Sequence, residues 1–277
     1  MLREPPKLIV VTPTENWIKE ISARVSKPVY LRAEELLEQP EVHISGPTAI
    51  LLNSAGEPDV RELRRRLSAA EVSPLTLIPT SLSHLAGEGK EEAAKAELRF
   101  ALKWAEEAPR LTRRVKRAVR APSRKLSRRD LLRLLQGVWV YPETPILVGA
   151  CSGDLAANCG RCAEACPFSA VSLGESGPVI SDLSCRDCGL CASVCPIGAL
   201  QTPTFTDWQV SHMDLLSPPP NRALPWIVLF TCDRGLSELA ATKIPSGHVL
   251  PVRVSCAAAA GWLAILRAAD SGLDGIA

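Results

Sequence analysis

Two cysteine runs constrain this chain more than any other feature of its sequence. Residues 159–167 read Cys-Gly-Arg-Cys-Ala-Glu-Ala-Cys-Pro, and residues 185–196 read Cys-Arg-Asp-Cys-Gly-Leu-Cys-Ala-Ser-Val-Cys-Pro. Overlaid at an offset of 29 residues, they match at Cys159/Cys188, Gly160/Gly189, Cys162/Cys191, Ala163/Ala192, Cys166/Cys195, Pro167/Pro196 and Ala170/Ala199. An internal repeat of this kind predicts a pseudo-symmetric unit. The proline closes each turn, because it has no N–H to continue a helix and fixes its own φ. The repeat has one irregular corner. The position equivalent to Cys185 is Ala156, and the nearest spare thiol is Cys151, five residues earlier.

The second run is a complete C-x2-C-x2-C-x3-C-P pattern, the spacing of bacterial ferredoxins, in which the fourth cysteine serves the other cluster. Two interleaved ligand sets follow. One 4Fe–4S cluster takes Cys185, Cys188, Cys191 and Cys166. The other takes Cys159, Cys162 and Cys195; it is either completed by Cys151 or incomplete, and we take Cys151 as the fourth ligand, a buried free thiol being the alternative. Structural zinc prefers isolated C-x2-C pairs supplying four thiolates to one ion, and the small residues between these cysteines leave room for a larger group. Ala170–Leu173 and Val179–Ser181 are expected to pair as a hairpin around Gly174–Gly177. Acids outnumber arginines here, so thiolate-bound clusters make this surface negative.

All ten cysteines of the 277 residues lie after position 150. Dense C-x-x-C runs in a chain of this size point to metal ligands and not to a disulfide framework. The charged, proline-rich start lacks the apolar core of an export signal, and no apolar window is long enough to span a bilayer. A reducing, cytoplasmic setting is expected.

Upstream, short apolar runs at Leu8–Val11, Val29–Leu31, Thr48–Leu52 and Leu75–Ile78 alternate with helical patterns over Glu15–Val25, Pro58–Ala70 and Gly89–Ala108. Alternation of this kind predicts a small parallel α/β domain, read as a docking domain over 1–108. No G-x-G-x-x-G or G-x4-G-K-[ST] sequence is present, so the chain offers no phosphate cradle and no flavin or nicotinamide site. His43 and His84 are assigned no role. Residues 109–143 form a basic connector, with eleven Arg or Lys against one acid between Arg110 and Arg133. Ser127 and Asp130 have capping-box form, which predicts a short helix through Leu131–Leu135. The charge suits a solvated face, a dock for an acidic protein partner or, less well, nucleic acid, since no interleaved aromatics stack bases. The cluster domain spans 144–203, an α+β fold, and a proline-rich linker spans 204–224. A short α/β domain over 225–277 has strands Trp226–Phe230 and Val249–Val254, each followed by a cysteine, Cys232 and Cys256. These two thiols could hold half a cluster, form a redox pair or be inert; inert is the preferred reading.

Here the residues support a resemblance. Phe230-Thr-Cys232, Val252-Arg-Val-Ser-Cys256 and Leu266-Arg-Ala-Ala-Asp-Ser-Gly272-Leu-Asp-Gly275 make this last domain similar to the delta subunit of methyl-viologen-reducing hydrogenase. That family binds a 2Fe–2S cluster; of its ligands only Cys232 and Cys256 are matched, and Gly235 stands where a second early cysteine is expected. The Val72–Thr80 segment and the helix after it resemble the first domain of the flavin-containing polypeptide of heterodisulfide reductase, without that family's cysteines or its flavin domain. The resemblance implies a flavin-less relay subunit of a heterodisulfide-reductase-like or hydrogenase-linked complex, partnered by a flavoprotein or a hydrogenase. No catalytic residue is assigned. A nucleic-acid-associated iron–sulfur protein and an interaction scaffold with structural clusters are the alternatives.

Overall fold

The computed structural model describes residues 6–11, 16–39, 43–44, 46–52, 60–73, 77–81, 83–85, 87–108, 115–117, 137–149, 151, 159–240, 242, 244 and 246–277. The apolar runs near the amino terminus become β1 (Lys7–Val11), β2 (Val29–Leu31), β3 (Thr48–Leu52) and β4 (Leu77–Ser81), all parallel in the order β2-β1-β3-β4. Side chains alternate across a strand, so one run feeds two cores. Leu8, Val10, Ala49 and Leu51 enter one core, while Ile9, Val11 and Ile50 enter the other. Such strands read as continuous apolar runs because both faces are covered. The Asn16–Val25 and Glu91–Glu107 helices cover the first face, the latter burying Ala94, Leu98, Ala101 and Ala105. The Val60–Ala69 helix covers the second with Val60, Leu63 and Leu67. A short helix at Ala33–Glu38, unforeseen in the sequence, adds Leu36 to the same core.

In the connector, β5 (Val115–Arg117) pairs antiparallel with β6 (Val138–Val140). The sequence suggested a helical connector; the described part is instead a strand pair, because Val138-Trp-Val140 is β-branched and aromatic and finds a distant partner. The helix expected over 127–135, with most of the basic residues, lies outside the described residues. Beyond it, β7 (Ile146–Leu147) pairs antiparallel with β10 (Leu200–Gln201), and β8 (Val171–Gly174) forms the expected hairpin with β9 (Gly177–Ile180).

At the carboxyl end, β11 (Trp226–Thr231), β12 (His248–Arg253) and β13 (Gly275–Ile276) form a parallel sheet in the order β12-β11-β13. Its Trp226, Val228, Phe230, Leu250 and Val252 join the core under the Glu91–Glu107 helix, and Leu236 joins the second core. The two α/β segments thus share their cores. The 204–224 stretch is more than a linker, because helical turns at Asp207–Val210 and Met213–Leu216 bury Val210, Met213 and Leu216 in the shared core. Phe100, Trp104, Phe205 and Phe230 stack in sequence with centroids 5.1, 5.6 and 5.7 Å apart. Aromatic pairs at such spacings add to area burial. Among the described residues no helix is long and apolar enough to cross a membrane.

Candidate metal centre

The repeat seen in the sequence is also a repeat of backbone conformation. Each cysteine run forms a four-residue helix, Arg161–Glu164 and Leu190–Ser193, entered through a left-handed glycine, Gly160 at φ 57° and Gly189 at φ 72°. Only glycine takes that conformation without a Cβ penalty. After each helix the amide of the last cysteine, Cys166 or Cys195, bonds the carbonyl of Ala163 or Ala192. Ser169 (φ 48°) and Gly198 (φ 64°), again 29 apart in the sequence, then turn the chain left-handed at the same point. The equivalent alanines are tied to flanking segments, with Ser181 N–H donating to Ala170 O and Val148 N–H to Ala199 O.

These turns bring the cysteines together in two groups. One cavity is lined by Cys151, Cys159, Cys162 and Cys195, with Leu173, Pro178, Pro196 and Ile197 as its apolar walls. A second is lined by Cys166, Cys185, Cys188 and Cys191, with Pro145, Phe168, Val171 and Ile180. The last cysteine of each run crosses to the other group. Cys151 reaches its group although it sits outside the repeat, because it follows β7, which is paired to β10 just after the second run. Gly177 of the hairpin, at φ 116°, lies against it, with a Cβ there placed 3.4 Å from the Cys151 Cβ, an ordinary contact.

The donor set suits iron–sulfur clusters. All ten cysteines are free thiols. Among the described residues no three Cys, His, Asp or Glu side chains are placed to hold one metal ion. Four thiolates on one zinc must converge at about 2.3 Å from it, whereas in a cube each thiolate binds its own iron and the sulfurs stand apart around a space. Burial pushes the Cys191 thiol up to about 12, with the neighbouring Cys185, Cys188 and Cys166 adding to the effect. Burial likewise raises Cys162 and Cys185. Thiols so reluctant to ionise need a metal to hold them as thiolates. Two backbone amides already point at sulfur, Ala170 N–H to Cys166 Sγ at 3.3 Å and Asp187 N–H to Cys185 Sγ at 3.4 Å.

The sequence concealed a charged network beside the second group. Arg253 clamps Glu143 with two bonds of 2.8 Å and donates from Nε to Asp233 Oδ1 at 2.9 Å. Arg64 reaches Asp233 at 3.0 Å and Glu143 at 3.6 Å. Burial pushes the Asp233 carboxyl up, but Arg253 and Arg64 outweigh it and hold the group down at about 2. Glu143 precedes Thr144, whose hydroxyl donates to Asp187 Oδ1 at 3.3 Å, so the network reaches the Cys185 loop. No spacing rule joins residues 64, 143, 187, 233 and 253, and no sequence signal marked them.

Cys232 and Cys256 follow the adjacent parallel strands β11 and β12, at carboxyl ends where α/β folds gather reactive groups. Cys256 opens the Ala257–Ala259 turn, which packs on the second cysteine helix; a Cβ at Gly189 would stand 2.5 Å from the Ala259 Cβ. At Gly235 a Cβ would meet Thr231 Oγ1 at 1.9 Å, so a cysteine there requires Thr231 to turn away.

A family model described as a 4Fe-4S dicluster domain matches residues 157–199. No curated protein matches the chain. The family match covers the repeat and begins after Cys151. The chain therefore contains a ferredoxin-like iron–sulfur domain within a mixed α/β protein, and this domain supports an electron-transfer role.

Proposed function

We propose that this chain is the iron–sulfur relay subunit of a heterodisulfide-reductase-like or hydrogenase-linked oxidoreductase complex, passing electrons between a flavoprotein or hydrogenase partner and a second redox protein. Cys151, Cys159, Cys162 and Cys195 would hold one 4Fe–4S cluster and Cys166, Cys185, Cys188 and Cys191 the other, and the clusters would supply the relay chemistry. The observation that carries this reading is the sorting of eight thiols into two rings of four, drawn crosswise from the two runs. When bound, each cluster stores and releases one electron. The protein supplies the rest. Apolar side chains line both cavities, and the Ala170 and Asp187 amides offset the negative charge on sulfur, which tunes the potential. Each helix carries a thiol of one ring, Cys162 or Cys191, and the cysteine just beyond its end, Cys166 or Cys195, belongs to the other ring. That keeps the electron path between clusters short.

Iron and acid-labile sulfide analysis with EPR of the reduced protein tests the reading. Eight irons and eight sulfides per chain are expected from two cubes. In Cys151→Ala the first cluster is expected to be lost or reduced to a three-iron form while the second persists. Two intact cubes in that variant would remove Cys151 from the ligand set, and redox-silent clusters in the unaltered protein would favour a structural role.

A further inference from the structure

Of the four tryptophans whose side chains are described, two stand in solvent, Trp208 at 71% and Trp262 at 56% exposure, whereas Trp104 and Trp226 are buried. Exposed indoles are costly to leave in water and are enriched where proteins bind one another. Both flank the same turn. Trp262 lines a groove with Cys195, Pro196 and Ile197. On the other side Trp208 shares a groove with Ile197, Gly198 and Val148. Ile197 and Val148 are themselves 52% and 50% exposed. The inner side of this turn is the wall of the first thiol cavity, to which Pro196 and Ile197 both contribute. A single layer of side chains therefore separates the first ring of thiols from an apolar, aromatic outer face. The second ring is more enclosed, with Cys185 and Cys191 at 7% exposure and its helix packed on Ala259.

We propose that this face, centred on Pro196–Gly198 and flanked by Trp208 and Trp262, is the docking surface of an electron-transfer protein with a basic contact face. The first cluster is the one that exchanges electrons across it. The inference rests on the electron-transfer reading above. Charge argues for a basic partner: over 159–203, Glu164, Glu175, Asp182 and Asp187 outnumber Arg161 and Arg186, and the cluster thiolates add further negative charge. Such complementarity steers association and sets its salt dependence, while an aromatic centre holds the complex. The transfer balances as one electron: the reduced first cluster is oxidised by one electron, the partner's centre is reduced by one, and no bond or proton changes hands.

The test uses the full chain with its clusters, reduced anaerobically and mixed in stopped flow with either of two oxidants. Cytochrome c is a basic protein with an exposed haem edge. Hexaammineruthenium(III) is a small cation that feels the charge but has no surface to dock. In the Trp208→Ser, Trp262→Ser double variant, oxidation by cytochrome c is expected to slow at least tenfold and oxidation by the ruthenium complex to stay within twofold. An unchanged cytochrome c rate, or an equal loss with both oxidants, overturns the docking face and leaves the relay reading standing. Reduced clusters that neither oxidant can oxidise overturn both. If the variant loses its clusters, hydrogen exchange on the unaltered protein decides the question. Protection by cytochrome c confined to the amides of 197, 198, 208 and 262 supports the face, and protection elsewhere overturns it.

Discussion

Gly160 and Gly189 hold equivalent places in the repeat and adopt the same left-handed backbone, yet only one is hemmed in. A Cβ at Gly160 meets nothing nearer than Glu164 Oε1 at 3.6 Å; at Gly189 it meets the Ala259 Cβ at 2.5 Å and Thr202 Cγ2 at 2.8 Å. Gly160→Ala is therefore expected to cost about 1 kcal/mol, the left-handed penalty alone. Gly189→Ala is expected to cost about 2–4 kcal/mol, since overpacking adds to it. Thermal unfolding of the two cluster-loaded variants measures the difference. The matched glycines were legible in the repeat, but their left-handed backbone and the crowding were not, because Ala259 is distant in the chain. Asp187 gives a second test at this scale. Its Oδ1 lies 3.7 Å from Cys185 Sγ, so Asp187→Asn removes a negative charge beside one cluster and is expected to raise that cluster's potential by tens of millivolts, leaving the other unmoved. A potentiometric EPR titration resolves the two.

At the scale of elements, the Glu143–Arg253–Asp233–Arg64 network fastens β12, the helix after β11, the Val60–Ala69 helix and the approach to the cluster domain to one another. All four side chains are largely buried. Removing one partner of a buried pair strands the other charge, which typically costs about 3–5 kcal/mol. Glu143→Gln is expected to cost that much in urea unfolding and to loosen the Thr144–Asp187 contact, seen as a broadened signal from the second cluster. Asp233 also carries a pH dependence. Its folded value of about 2 lies below the ordinary 3.8, so its stabilisation, about 2 kcal/mol, is complete above pH 3.8 and is lost as pH falls through 2. The strands and long helices of this region were legible as apolar runs and helical stripes. The ion network was not, since charge pairing between distant segments leaves no periodicity.

For the whole molecule, the seam between the two α/β segments is where pH matters nearer neutrality. His84, just after β4, is buried and bonds Val249 O on the edge strand β12 through Nε2 at 2.7 Å. Lys90 Nζ donates to Ile244 O at 2.6 Å. Burial, aided by nearby Lys90, brings the His84 ring down to about 4, and the same two causes lower His248. A histidine whose folded value is depressed stabilises the fold fully above its unfolded value near 6.5 and loses that contribution as pH falls to about 4. The loss for His84 amounts to about 3 kcal/mol. His84→Gln is expected to flatten the fall in unfolding free energy between pH 6.5 and 4, measured against the unaltered protein at each pH so that cluster loss cancels. His84 carried no assignable role in the sequence, because its partners are the backbone of a strand some 165 residues away.

By itself the sequence determined the repeat, its matched glycines and cysteines, and the parallel apolar strands, because each depends on local spacing and backbone preference. The tertiary structure alone decided the rest. It brought Cys151 to the first ring through the β7–β10 pairing, built one pair of cores from the two ends of the chain, and made 204–224 part of that packing. It also left the first ring behind a thin aromatic face while enclosing the second. Those outcomes depend on which surfaces meet once the chain is folded, and residues far apart in sequence meet through shape and burial, which no local spacing records.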